Sequence, residues 1–260
     1  MTDTHSDKEE KTKSMVGSLV HGLNIIMAFD RNNPQMTLSQ VAEKTGMDRA
    51  GARRYLLTLV GLGFVEQNAR LFRLTPKVMD LGYAYLSSVP LSEKAQHYLE
   101  KIRDKSGFPV ALGIVDGLHI VHVASANTDE LMSPALTIGR RFPIAYASAG
   151  RAILSAMEDA KREQILAQVT LEPMTDASIR TIEALRGELK SAGEKGYALV
   201  DQEMQMGVRS LAVPILNVNG TVVGSFNTFT FTSLVSKEQL ITELLPVLQE
   251  AAQDLQRMLT

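Results

Sequence analysis

Between Thr37 and Leu74 the chain carries start and stop signals for local structure at such short intervals that few folds can accommodate them. Thr37-Leu38-Ser39-Gln40 is a capping-box pattern, with a hydroxyl at the N-cap and a glutamine three residues on. The helix it opens, LSQVAEKT, brings Leu38, Val41 and Ala42 to one face and stops at Gly46. Asp48 is placed to cap a second helix, DRAGARRYLLTLVGLG, in which Ala52, Tyr55, Leu56, Leu59 and Val60 form an apolar stripe and Gly61 and Gly63 mark the end. Phe64-Val65-Glu66 and Leu71-Phe72-Arg73-Leu74 read as two short strands around a turn at Asn68-Ala69. Upstream, VGSLVHGLNIIMAF sets Leu19, Leu23, Ile26 and Met27 at helical spacing, ahead of a turn at Arg31-Asn32-Asn33-Pro34. Helix, helix, turn, helix and hairpin in that order, within residues 16–77, spell a winged helix-turn-helix.

The rest of the chain has a different texture. Residues 1–15, MTDTHSDKEEKTKSM, are polar and charged and read as a disordered tail with no apolar stretch of signal-peptide type. Pro76 begins a helical segment, VMDLGYAYLSS, and LSEKAQHYLEKIRDKSG follows with Ala95, Tyr98, Leu99 and Ile102 on one face. Residues 78–106 are therefore assigned to linker helices. From residue 107 to residue 260, strands alternate irregularly with helices. PVALGIVDGLHIVHVASA forms a pair of strands around Asp116-Gly117, SAGRAILSAM and KREQILAQV form helices, and residues 178–193 form another. YALVDQE, RSLAVPIL and TVVGSFNTFTF are strands, the last two joined by a turn at Asn219-Gly220, and a final helix runs over 236–259. The fold class is α+β: a winged helix-turn-helix domain, linker helices, and an antiparallel-sheet domain of the kind that senses a ligand.

Charge separates the two parts. In residues 16–77, Arg31, Lys44, Arg49, Arg53, Arg54, Arg70, Arg73 and Lys77 stand against Asp30, Glu43, Asp48 and Glu66, a net of +4 in a chain whose overall charge is -2. The small segment is thus suited to meet phosphates and the larger one is not. With no cysteine, disulfides, thiolate metal sites and cysteine nucleophiles are excluded. No run reaches the roughly 18 apolar residues of a membrane span, so a cytoplasmic location is expected. His119 and His122, three apart on a strand, face opposite sides and make a poor metal pair. Neither a Walker A sequence nor GxGxxG or GxSxG occurs, and no cofactor or enzymatic activity is expected.

In the second helix Arg49 and Arg53 share a face and Arg54 lies beside them, away from the apolar stripe. An α-helix fits the major groove, where an arginine either grips a phosphate or makes a bidentate bond to guanine. One of the three is expected to read a base and the others to hold phosphates, with Arg70 and Arg73 in the wing on backbone or minor groove. The candidate DNA contacts are Thr37, Ser39, Gln40, Asp48, Arg49, Ala50, Gly51, Arg53, Arg54, Arg70 and Arg73. Gly51 inside a helix costs about 1 kcal/mol against Ala, for close approach of DNA or as a tolerated imperfection.

SLVHGLNIIMAF, TLSQVAEKTGM, LLTLVGLGFVE, FRLTPKVMDLGYAYL, IGRRFPIAYASAGRAIL and KGYALVDQEMQMGVRSLAVPI resemble, in this order, blocks of the IclR-type transcriptional regulators, over residues 16–258. Ala50-Gly51 departs from the Ser-Thr common in that family. DRAGARRYLLTLVGLGFV is similar to the branch that regulates aromatic-acid catabolism through the β-ketoadipate route, many of whose members are activators. The resemblance implies a GAF-like fold for the C-terminal effector domain, a double-stranded operator as partner, RNA polymerase if the protein activates, dimers or tetramers, and a small carboxylate effector of the protocatechuate, 4-hydroxybenzoate or β-ketoadipate class. Carried over by position, the effector site draws on Leu131, Phe142, Ser148, Ala149, Asp201, Ser210, Asn227 and Phe229. Phe142 and Phe229 would face the apolar part, Asn227 and Ser210 would hydrogen-bond polar groups, and Asp201 would accept a hydroxyl proton. Backbone N–H groups at Ser148, Ala149 and Gly150 would draw the carboxylate to a helix N-terminus. Arg140-Arg141 is read as a surface pair. Three alternatives stay open: an enzyme-like or sensor domain with an incidental helix-turn-helix, a DNA-architectural protein, and an IclR-type repressor of a different pathway.

Overall fold

The computed structural model describes residues 15–88, 90–128 and 136–259. The first fourteen residues of the polar tail and Leu131 therefore lie outside the described residues. The chain divides into two units, at Tyr85 and Leu86.

In the first unit α1 (Gly17–Ala28) is followed by the short strand β1 (Met36–Thr37), α2 (Leu38–Thr45) and α3 (Arg49–Gly61), and then by β2 (Val65–Asn68) and β3 (Leu71–Leu74). The strands form an antiparallel sheet in the order β1-β3-β2. Both anticipated caps are present. Thr37 and Gln40 exchange a full capping box, and the Asp48 carboxylate accepts from the Gly51 N–H at 2.8 Å. Gly46 closes α2 at φ +67°, a left-handed conformation that glycine adopts without a Cβ penalty. The wing turns one residue later than anticipated. Asn68 pairs with Leu71, which leaves Ala69 and Arg70 as the turn, with Ala69 at φ +52°. Ile25, Met36, Val41, Leu56, Leu59, Val65 and Phe72 make the core. The face that α1 buries carries Ile25 and Ala28. Leu19 and Met27, part of the helical spacing noted in the sequence, stay 63% and 70% exposed.

After a 3-10 turn at Pro76–Val78, α4 (Met79–Ser88) contains the unit boundary. The second unit is built on α5 (Pro90–Ser106), β4 (Val110–Asp116), β5 (His119–Ala126), β6 (Arg141–Pro143), α6 (Ser148–Ala156), α7 (Asp159–Leu166), α8 (Ile182–Lys195), β7 (Ala198–Asp201), β8 (Val208–Leu216), β9 (Val222–Phe231) and, after a helical lead-in from Lys237, α9 (Leu245–Gln256). Its six strands form one antiparallel sheet in the order β6-β5-β4-β9-β8-β7. The two faces differ because side chains alternate along each strand. Leu112, Leu211, Val213 and Phe226 point to a core completed by Leu99 and Ile102 of α5 and Leu248 and Leu255 of α9. Helix α5, assigned by sequence to the linker, is thus a packed layer of this unit, with Ala95, Leu99 and Ile102 fully buried. The other core, on α6 and α8, gathers Ile120, Tyr146, Ile153, Leu185, Leu189 and Ala212.

Small residues bring α6 down on the sheet. A Cβ on Gly113 of β4 would sit 3.3 Å from the Ala149 side chain and 3.0 Å from Ile120. A Cβ on Gly150 would stand 2.1 Å from the Ile144 carbonyl oxygen, so this helix turn is closed to any larger residue. The first turn of α6 is held directly over the middle of the sheet.

Candidate functional site

The exposed face of α3 is basic because its stripe is spent on the core. Ala52, Leu56 and Leu59 are buried, while Arg49, Ala50, Arg53 and Arg54 are exposed. Arg49 and Arg53 have no ion pair among the described residues, and the Arg54 guanidinium lies 5.5 Å from the ring centroid of Tyr55. Gly51 has a local reason: a Cβ there would press to 3.3 Å on the capping carboxylate of Asp48. Ser39 is exposed, whereas the Thr37 hydroxyl and the Gln40 carbonyl oxygen are occupied by the capping box, the Thr37 N–H donating to Gln40 Oε1 at 2.8 Å.

Not every cation of this unit is available to a partner. Lys44 pairs with Asp30, whose carboxyl that bond, with help from Asn33, holds at about 2. Lys77 donates to the Leu62 carbonyl at 2.9 Å, and Arg73 pairs across the hairpin with Glu66. Arg70, at the wing tip, has no ion pair among the described residues. The unengaged arginines are concentrated on α3 and the wing tip.

The second unit holds a cavity of about 240 Å³. Of the effector residues carried over by position, Phe142, Ser148, Ala149, Ser210, Asn227 and Phe229 line it. Asp201 does not. Its carboxylate takes Arg209 at 2.9 Å and Lys237 at 2.9 Å, and these bonds hold the carboxyl below its ordinary value although burial pushes it up. Asp201 is thus an ion-pair partner of the neighbouring strand and not an acceptor inside the cavity. The N-cap of α6 is Ala147, so Ser148 is the first helical residue, and the buried N–H groups of Ser148, Ala149 and Gly150 precede the first intrahelical bond, Arg151 N–H to the Ala147 carbonyl.

Sequence reasoning missed several lining residues. Arg140 is one: its guanidinium lies 4.9 Å from the Phe142 ring centroid and joins the lining, whereas Arg141 pairs with Asp116 on the surface. His122 is another, buried to 2% exposure. Burial first, then the Arg140 charge, push its imidazole down to about 4, against the bond from Asn227, so it is neutral at physiological pH. Glu203, Met204 and Gln205, on the loop after β7, complete one wall with Phe231. Glu203 is buried and bound bidentately to the buried Arg151 of α6, at 2.7 and 2.6 Å. Arg151 also donates to the Ala145 carbonyl, and Glu203 accepts from the Ile179 N–H. A buried Arg in the apolar run SAGRAILSAM was the available signal, since such a cation requires a partner. Chemically the cavity offers aromatic walls, a helix N-terminus and one cation, groups that favour apolar and anionic parts of a ligand. No three His, Cys, Asp or Glu side chains among the described residues come together as metal ligands, and no helix among them is long and apolar enough to cross a membrane.

Two family models match the chain, one described as the IclR helix-turn-helix domain over residues 18–69 and one as the bacterial transcriptional regulator IclR C-terminal over residues 83–257. The Pca regulon regulatory protein of Pseudomonas putida is 36% identical over 239 residues, 92% of this chain and 82% of that protein. The p-hydroxybenzoate hydroxylase transcriptional activator of Acinetobacter baylyi is 29% identical over 259 residues, 98% of this chain and 96% of its own. Among solved structures, a transcriptional regulator from Rhodococcus sp. RHA1 is similar at a TM-score of 0.86 and 38% identity, covering 94% of this chain and 98% of its own.

Proposed function

The chain belongs to the IclR family of bacterial transcriptional regulators, and from that premise we propose that it controls genes of aromatic-acid catabolism, as a dimer or tetramer whose operator binding responds to a small carboxylate from aromatic degradation. It is a regulator and not an enzyme. The observation that carries the effector reading is the cavity at the start of α6, where buried N–H groups, Arg140 and the rings of Phe142 and Phe229 meet in one small space. A carboxylate gains there from both the N–H groups and the helix dipole, and an aromatic ring from the apolar walls. Helix α3 enters the major groove with Arg49, Arg53 and Arg54, and Arg70 of the wing tip contacts the backbone. Activation is the favoured sign, in keeping with the name of the Acinetobacter relative.

One α3 reads too few bases for a genomic address, so two copies must present their helices to half-sites roughly 34–36 Å, or a multiple of that, apart. The apolar face that α1 leaves exposed, with Leu19, Leu23 and Met27, suits the contact between copies. An electrophoretic shift with DNA from upstream of this protein's own gene and of its adjacent genes, with and without protocatechuate, 4-hydroxybenzoate and β-ketoadipate, tests the proposal. A retarded complex whose affinity or mobility changes with one of these acids is expected. Binding unaffected by all three, with none detected by calorimetry below millimolar, refutes the effector assignment.

A further inference from the structure

The floor of the cavity contains a hydrogen-bond imbalance. His122 of β5 and Asn227 of β9 reach each other past Gly113 of β4, with the Asn227 Nδ2 to His122 Nε2 distance 3.3 Å. The other ring nitrogen, Nδ1, and the other amide atom, Oδ1, are buried and have no partner among the described residues. Both side chains line the cavity, and they are 2% and 4% exposed. Buried polar atoms are almost always paired, so a pair left half-satisfied at a cavity points to what fills it.

The count of donors and acceptors identifies the missing group. With the amide nitrogen donating one hydrogen to Nε2, the imidazole proton sits on Nδ1, leaving donors at Nδ1 and at the second Nδ2 hydrogen and an acceptor at Oδ1. With the amide turned over, Nε2–H donates to Oδ1, leaving an acceptor at Nδ1 and both Nδ2 hydrogens as donors. Either way the neutral pair leaves an acceptor as well as N–H donors to be met. A carboxylate oxygen only accepts, so it meets the N–H groups but leaves the acceptor facing a lone pair. A ketone has the same defect. A hydroxyl donates and accepts at once.

We propose that His122 and Asn227 together form the hydroxyl-recognition element of this cavity, so that the effector is a ring carboxylate carrying a hydroxyl, selected over the unsubstituted acid and over keto acids. This rests on the reading of the cavity as a carboxylate site. The neutrality of His122 belongs to the same design, since an imidazolium would offer two donors and call for an anion at this end as well. Ala149, brought close to the sheet over Gly113, places the carboxylate-binding turn of α6 in the same cavity as the pair.

Calorimetric titration of the full-length protein at neutral pH with benzoate, 3-hydroxybenzoate, 4-hydroxybenzoate and 3,4-dihydroxybenzoate tests the proposal. At least one hydroxylated acid is expected to bind about tenfold or more tightly than benzoate. In His122→Leu and in Asn227→Leu that preference should fall to within about threefold, through a larger loss for the hydroxylated acid than for benzoate. His122→Gln, which keeps a donor and an acceptor, should retain most of the preference, and a cooperative thermal melt reports that each variant is folded. Equal affinity for benzoate and every hydroxybenzoate in the native protein, or a preference that survives both leucine variants, overturns the inference and leaves the carboxylate site standing. Failure of all four acids to bind below millimolar overturns this inference, and the carboxylate site then stands or falls with β-ketoadipate.

Discussion

Replacing Glu203 by glutamine removes one charge from a buried pair and leaves the other. Arg151 is 1% exposed, and its guanidinium is held by both Glu203 oxygens and by the Ala145 carbonyl, so no solvent is at hand to take over the lost anion. Breaking a buried pair from one side costs about 3–5 kcal/mol, because it strands an uncompensated charge. In a unit of this size each kcal/mol is worth about 2–4 °C of melting temperature, which gives a fall of about 6–20 °C. Arg151→Met combined with Glu203→Gln removes both charges while the new amide oxygen still accepts from the Ile179 N–H, so the double variant should recover at least half of the loss. Differential scanning calorimetry of the full chain reads both values. The pair joins α6 to the loop after β7, two walls of the cavity, and E203Q should also weaken effector binding. A melting temperature within about 2 °C of the native protein for E203Q, or a double variant that falls by the sum of the single losses, refutes the reasoning.

Three further outcomes follow from the same geometry. His122 titrates at about 4 in the folded chain against 6.5 in the unfolded one, so the unfolded state binds the extra proton between these values. Its contribution is full above 6.5 and is lost as the pH falls toward 4, on the order of 3 kcal/mol in all; urea midpoints at pH 7 and pH 4.5 should converge more in H122Q than in the native protein. Gly150→Ala, which drives a Cβ into the Ile144 carbonyl, should destabilise by the upper end of about 1–3 kcal/mol, whereas Gly187→Ala, on the open face of α8 with nothing within 4 Å, should stabilise by about 0.5–1 kcal/mol in thermal melts. Arg53→Ala should weaken operator binding by about 1–3 kcal/mol without moving the melting temperature, while Asp48→Ala should cost about 1 kcal/mol of stability through its lost cap, with titration shifts and melts separating the two effects.

The winged helix-turn-helix was legible in the sequence because its signals are local. The Thr37–Gln40 box, the Gly46 stop and the Asp48 cap each act within about one helical turn, so residue type and spacing carry the whole of the interaction. The strands of the second unit were legible for the same reason, through alternation and turn residues. Packing decided what local signals leave open. Helix α1 has apolar residues around much of its circumference, and only the position of α2 and α3 selects Ile25 and Ala28 as the buried face. Asp201 offers a free carboxylate by its strand position. Pairing with β8 sets Arg209 opposite it, and the segment at Lys237 adds a second cation. Glu203 and Arg151 lie 52 residues apart, and His122 and Asn227 lie 105 apart. Such pairs depend on strand order, on the register shift at Leu112 and Gly113, and on how deeply α6 descends over Gly113. A buried charge or imidazole in a sequence announces that it needs a partner, but which partner it meets is a matter of long-range register, and that exists only once the sheet has closed around the cavity.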